Sequence, residues 1–340
     1  MTTFADGVFQ YGGMPVTPGV PVPFTGKTFF VDPVNGADGN NGKSPERAFA
    51  TLYAAHDRCT SGNNDVVYLI GNGAASGTAR LSTALAQTID STVTAGTLVW
   101  SKSATHLIGV TAPTSYGSRA RIAPPTGTYT MATFGSGNFV TVSGAGCYFA
   151  NISLFHGFST GGASQICWTD SGSRNYYANV HFGGAGDAAS AQATTSRSLK
   201  VSGSGEHNFV RCTIGLDTVA KTVANASLEF AGATVRNRFT ECLFPFQAAA
   251  ATLGILGTGN GCIDRHQIFE RCLFINNVKS TSTTMTALLS FTTASPGGLI
   301  VFKDCDTVGI TKIGDTNGLA NSYVSNVGGA ATGGLNVNPS

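Results

Sequence analysis

Between residues 139 and 310 the chain returns six times to one short pattern, and this restricts its fold more than any other feature. The segments are Tyr148-Phe-Ala-Asn151-Ile, Tyr176-Tyr-Ala-Asn179-Val, Phe209-Val-Arg-Cys212-Thr, Phe239-Thr-Glu-Cys242-Leu, Phe269-Glu-Arg-Cys272-Leu and Phe302-Lys-Asp-Cys305-Asp. Their fourth positions are separated by 28, 33, 30, 30 and 33 residues. A period of that length with strand-like composition marks a solenoid, in which each repeat buries its apolar face only against its neighbours. A second strand precedes several repeats, at residues 198–201, 227–230 and 289–291.

Stacking accounts for the residue choices. Equivalent residues of successive coils in a parallel β-helix lie about 4.8 Å apart. Tyr148, Tyr176, Phe209, Phe239, Phe269 and Phe302 are therefore expected to form an aromatic ladder inside the helix. Asn151, Asn179, Cys212, Cys242, Cys272 and Cys305 are expected to line a bend, where Asn tolerates unusual dihedrals and Cys packs as a small hydrophobe. Just before them, Arg211, Glu241, Arg271 and Asp304 alternate in sign, as an outward-facing stack of charges should.

Residues 61–138 read as earlier, more degenerate coils, with strands at 65–70, 97–100 and 106–110. Upstream, residues 28–57 read as a strand, an Asn/Asp/Gly loop and a short capping helix. Ser44 is the expected N-cap, Pro45 the first helical position and Glu46 a favourable first-turn charge. Ala48, Phe49, Leu52 and Ala55 give that helix one apolar face, suited to covering the open end of a solenoid. Residues 1–27 form an extended Pro-rich arm, and residues 316–340 a terminal cap or tail. The expected architecture is all-β: a right-handed parallel β-helix over 28–315.

Composition agrees. Charged residues make up 11% of the chain and hydrophobic ones 42%, with 44 glycines for the many corners. The net charge of +2 comes with no basic stripe in the linear sequence, so neither nucleic-acid nor anionic-membrane binding is expected. No apolar run is long enough to span a bilayer, and the N-terminus lacks the pattern of a signal peptide. Folding in a reducing cytoplasm would leave the eight cysteines as thiols.

Residues 30–55, Phe-Val-Asp-Pro-Val-Asn-Gly-Ala-Asp-Gly-Asn-Asn-Gly and onward, resemble the opening of many pectin-lyase-like β-helix proteins, as do the later Phe-x-x-Cys coils. That superfamily includes lyases, hydrolases, adhesins and virion proteins, so the resemblance specifies the fold far better than the function. An arm running straight into the β-helix without a secretion signal resembles phage head or tail proteins in particular. This resemblance implies a non-enzymatic structural protein of a bacteriophage virion, made in the host cytoplasm. The specific expectation is a homotrimeric capsid decoration protein, anchored to the major capsid protein or other virion proteins through Pro18, Val20, Pro21, Val22, Pro23 and Phe24. The alternative is a tail-spike-like receptor-binding protein or a polysaccharide lyase or hydrolase.

Several residue groups offer chemistry, and each has a plainer reading. Glycosidases need two carboxylates about 5–9 Å apart. Glu241 would sit between Arg211 and Arg271, and Glu229 near Lys200, both as solvated pairs. Asp264, Glu270, Asp304 and Asp306 on the last coils read as surface charge. Asp32, Asn35, Asp38 and Asn40 carry calcium-type oxygens, but Val34 and Lys43 fall where ligands would be required. Gly157-Phe-Ser159-Thr-Gly161 matches the nucleophile-elbow string without the helix that gives it meaning. The ladder cysteines lie along a line, whereas zinc ligands gather about a point. The six histidines show no ligand spacing. No catalytic residue, metal or cofactor is expected.

Overall fold

The computed structural model describes residues 25–71, 97–112, 137–156, 165–185, 191–277 and 283–315, with shorter pieces at 10–11, 14–15, 78–80, 114, 116, 120–123, 317, 322–324 and 335–336. Over these residues the chain is an all-β parallel solenoid built on three sheets. Sheet 1 has 11 strands, from Thr28–Val31 to Leu335–Asn336, and sheets 2 and 3 have eight each. One coil supplies Ile166–Asp170 to sheet 3, Tyr176–Ala178 to sheet 1 and His181–Ala185 to sheet 2. The next coil repeats the order with Arg197–Ser202, Asn208–Val210 and Thr213–Ile214. Among the described residues no helix is long and apolar enough to cross a membrane.

The aromatic ladder exists, but its register corrects the expected one. Phe149, Tyr177, Phe209, Phe239, Phe269 and Phe302 pair in series and point inward. Ring centroids along it are 5.1, 4.7, 4.5, 4.6 and 5.3 Å apart. Tyr148 and Tyr176 lie one residue earlier and therefore on the opposite face, where their rings stack at 5.6 Å. The bend shifts with them. Asn151, Asn179, Arg211, Glu241, Arg271 and Asp304 share the left-handed position of the turn from sheet 1 to sheet 2, with φ between 51° and 55°. Ile152, Val180, Cys212, Cys242, Cys272 and Cys305 follow them and pack against the core. Each of the four thiols donates to a carbonyl of the preceding coil, as Cys242 Sγ does to Phe209 O at 3.4 Å.

A polar ladder runs inside the other turn. The Asn175, His207, Asn237 and Gln267 side chains are buried, and each accepts a backbone N–H from the coil before it, at 2.8 to 3.2 Å. This satisfies amides that the corner would otherwise orphan.

The capping helix is shorter than expected. Pro45–Arg47 makes one 3-10 turn, Phe49 returns to an extended bridge with Val31, and α1 spans Leu52–Arg58. The N-cap of α1 is Thr51, whose hydroxyl accepts from Ala54 N. The Asp38 carboxylate fixes this start by accepting from Ala50 N, Thr51 N and Thr51 Oγ1. Leu52, Tyr53, Ala55 and His56 are buried, closing the first coil. At Gly42, φ is +67° and an added Cβ would lie 2.1 Å from the Phe49 ring, so the loop closes only over glycine.

Candidate functional site

Sheet 3 alternates an inward row of Val140, Trp168, Leu199, Leu228, Ile255 and Leu289 with an outward row of Thr141, Thr169, Lys200, Glu229, Leu256 and Ser290. A groove of about 490 Å³ lies on the outer face, lined by Asn138, Ile166, Thr169, Lys200, Ser202 and neighbouring small residues. Thr169 Oγ1 donates to Asn138 Oδ1 at 2.8 Å across its floor.

Lys200 is the only ionisable side chain among the described lining residues. Its ammonium is 3.2 Å from Glu229 Oε1, and its side chain is 28% exposed. Glu229 is its register partner on the next strand, nearly buried, with Arg197 Nε at 2.6 Å from Oε2 and Thr258 Oγ1 donating to Oε1 at 2.9 Å. Arg197 is tied to the Thr194 and Ser196 carbonyls, both at 2.8 Å. Close by, Lys221 is buried, and its Nζ donates to Ser227 Oγ at 3.4 Å. Burial, aided by the Arg197 charge, pulls its amine down to about 8. A buried ion pair is costly to desolvate and poor evidence of stability by itself. Here it fixes a carboxylate beside the partly exposed Lys200 ammonium that lines the groove. Such a group can bind an anion and offset charge developing beside it.

Glu229 and Lys200 are thus paired as the sequence suggests, but they are not a solvated pair. Arg197 was missed because it begins its strand, where its side chain can swing to the outer face against the period-2 rule. The sequence signal for it is only the Arg-Ser-Leu-Lys order in that strand.

The other sequence candidates are used structurally. Asp32 accepts from Val34 N, Asn35 N and Asn35 Nδ2, and Asn40 Nδ2 donates to Ala48 O. Together with the Asp38 contacts, this ties the acidic loop to its own backbone. Glu270 meets Arg238, Arg271 and Lys303, while Asp264 lies 3.5 Å from Arg265. Among the described residues no group of three or more His, Cys, Asp or Glu is placed to hold a metal ion. The string 157–161 and the anchoring candidates Pro18 to Phe24 lie outside the described residues.

No protein-family model matches the chain, and no curated protein matches it. Solved structures do. A rhamnogalacturonan lyase superposes over 83% of this chain and 68% of its own, with a TM-score of 0.52 and 14% identity. A pectate lyase covers 83% of this chain, which spans 63% of that enzyme, with a TM-score of 0.55 and 13% identity. A pectin methylesterase from Aspergillus niger matches over 91% and 92% of the two chains, with a TM-score of 0.54 and 14% identity.

What is shared is the β-helix fold. The expectation of a non-enzymatic chain is nevertheless overturned, since each of these neighbours is a lyase or an esterase. That expectation took the carboxylates to be surface charge, and the sheet 3 cluster departs from it. The capsid-decoration reading gains nothing from these structures, whereas the polysaccharide alternative accords with them.

Proposed function

We propose that this chain binds and acts on an acidic polysaccharide along the outer face of sheet 3, with Lys200 meeting a sugar carboxylate. The observation that carries the reading is the Lys200 ammonium at the floor of an open groove, backed by the Arg197–Glu229 pair. It is supported by the recurrence of this fold among enzymes named for pectin and related chains. No acid lines the groove among the described residues, so the two carboxylates of a glycosidase are lacking there. Neutralising a uronate carboxylate also makes the adjacent C–H more acidic, which eases elimination, in which that proton passes to a base from solvent and the glycosidic oxygen departs as the C=C bond forms.

The test is to incubate the full chain with polygalacturonate, alginate, fully methyl-esterified pectin and a neutral glucan. Unsaturated ends are followed by ultraviolet absorbance and reducing ends by colorimetry. Turnover is expected on an unesterified uronate polymer and not on the glucan. Lys200→Ala should lower it roughly 100-fold, as removal of a charge-stabilising donor does elsewhere. Equal turnover by Lys200→Ala, or no action on any polymer, would refute the assignment.

A further inference from the structure

The linear sequence contains no basic stripe, but folding makes one. Six of the chain's arginines, Arg174, Arg211, Arg236, Arg238, Arg265 and Arg271, gather with Lys303 on the outer face of sheet 1 and its two flanking turns. Glu206, Glu241, Asp264, Glu270 and Asp304 lie among them. Among the described residues this face thus holds seven cations against five acids.

An ion-pair ladder explains the alternation of sign but not the excess of cations. Glu206 is shared by Arg174 at 2.7 Å and Arg236 at 2.5 Å. Glu241 is likewise shared by Arg271 at 3.2 Å and Arg211 at 3.9 Å. The Arg174, Arg211 and Arg265 side chains stay 76%, 74% and 65% exposed, with guanidinium donors to spare.

The backbone supplies an independent observation. Arg174, Arg211, Arg236, Arg265 and Arg271 all have φ between 47° and 71°, a region that favours Gly and Asn. Earlier coils follow that preference, placing Asn151 and Asn179 where later ones carry Arg211 and Arg271. Asn179 Nδ2 there donates to Asn151 Oδ1 at 2.9 Å, an economical way to finish such a turn. Arginine, alternating with Glu206, Glu241 and Asp304, is thus used against local preference in the turns on both sides of one face. Strain retained in this way points to function.

We infer that the outer face of sheet 1 with its turns, over residues 174–303, is a second binding surface, taking an acidic polysaccharide strand laid along the solenoid axis. Successive coils repeat about every 4.8 Å, comparable to the length of a pyranose residue. The planar guanidinium fork suits carboxylate or sulfate groups presented along such a chain. The interleaved acids argue for a sparsely charged polymer. Duplex DNA, with one charge per about 1.7 Å, would press phosphates onto Glu206, Glu241 and Asp304, whereas a uronate chain whose successive carboxylates point to alternate sides can present every second one to the arginines two coils apart. The choice of polymer rests on the proposed function, but the surface is distinct from the sheet 3 groove.

The experiment compares wild type, Lys200→Ala, and a triple variant carrying Arg211→Asn, Arg238→Gln and Arg271→Asn. Asn is the residue that earlier coils place in these turns, so the triple variant should fold, as circular dichroism and melting will verify. A second variant with Lys at the three positions retains the charge. Binding is measured by calorimetry on long polygalacturonate and alginate, on their trimers, and on duplex DNA at several salt concentrations. The triple variant should bind long polymer at least 10-fold more weakly and with a shallower salt dependence, while trimer turnover stays at the wild-type level. The Lys variant should recover part of the loss, and Lys200→Ala, although weakened at the sheet 3 groove, should keep the arginine-dependent and salt-dependent part of its long-polymer binding. Wild-type affinity in the triple variant, or DNA bound as tightly as the uronate polymers, would overturn the inference. Absence of turnover with arginine-dependent polymer binding intact would instead count against the sheet 3 assignment alone.

Discussion

Glu270 shows how a single side chain sets a pH dependence in this molecule. Arg238, Lys303 and Arg271 all reach its carboxylate, and hydrogen bonds from Arg238 and Lys303 hold it down to about 2 from an ordinary 4.5. A carboxyl depressed on folding stabilises the native state above its unfolded value, and that contribution is lost as pH falls through the folded value. Wild-type melting temperature should therefore drop between about pH 4.5 and 2, and Glu270→Gln should flatten that part of the curve. An unchanged slope in thermal melts of the variant would refute the assignment. The sequence reveals such charges readily, because alternation along Arg211, Glu241, Arg271 and Asp304 survives any uncertainty of register. It reveals the ladder less well. Tyr148-Phe149 and Tyr176-Tyr177 each offer two adjacent aromatics, and aligning the first of each with Phe209 slips the register by one. Ile152 and Val180, small apolar residues equivalent to Cys212, were the available correction.

At the scale of elements, the N-terminal cap depends on contacts distant in sequence. Ser44-Pro45-Glu46 has the local signature of a helix start, yet Asp38 reaches Ala50 and Thr51, and α1 begins about two turns later. Local propensity could not register a bond spanning twelve residues. The other end of α1 is held by Lys102, whose ammonium donates to the His56, Asp57 and Cys59 carbonyls at 2.8, 2.7 and 2.9 Å. These are among the groups a helix C-terminus leaves unpaired. Lys102→Met keeps most of the stem and removes the donors, so it should cost about 1.5–3 kcal/mol, the range for hydrogen bonds from a charged group. Urea denaturation is the measurement, with an unshifted midpoint the outcome that rejects the cap.

For the whole molecule, stacking explains both why the fold could be read and why the site could not. The period is carried by every coil, so even a misregistered alignment identifies the solenoid. The groove and the carboxylate paired with it draw Asn138, Thr169, Lys200 and Glu229 from four successive coils, and no single segment contains a motif for the site. The same one-dimensional order governs stability, because each coil meets only its neighbours. The inner ladder is tightest from Tyr177 to Phe269, with centroids 4.5 to 4.7 Å apart and planes within 7°, and loosens to 5.3 Å and 20° at Phe302. Amide hydrogen exchange should accordingly be slowest in the strands around Phe209 and Phe239 and faster toward Phe302. Phe239→Ala, which opens a cavity with ring neighbours on both sides, should cost about 3–5 kcal/mol. It should also speed exchange in the coils on either side of it. Phe302→Ala should speed exchange in the last described coils while leaving the strands around Phe209 protected. Equal loss of protection throughout in both variants would mean that the coils unfold as one unit, contrary to nearest-neighbour stacking.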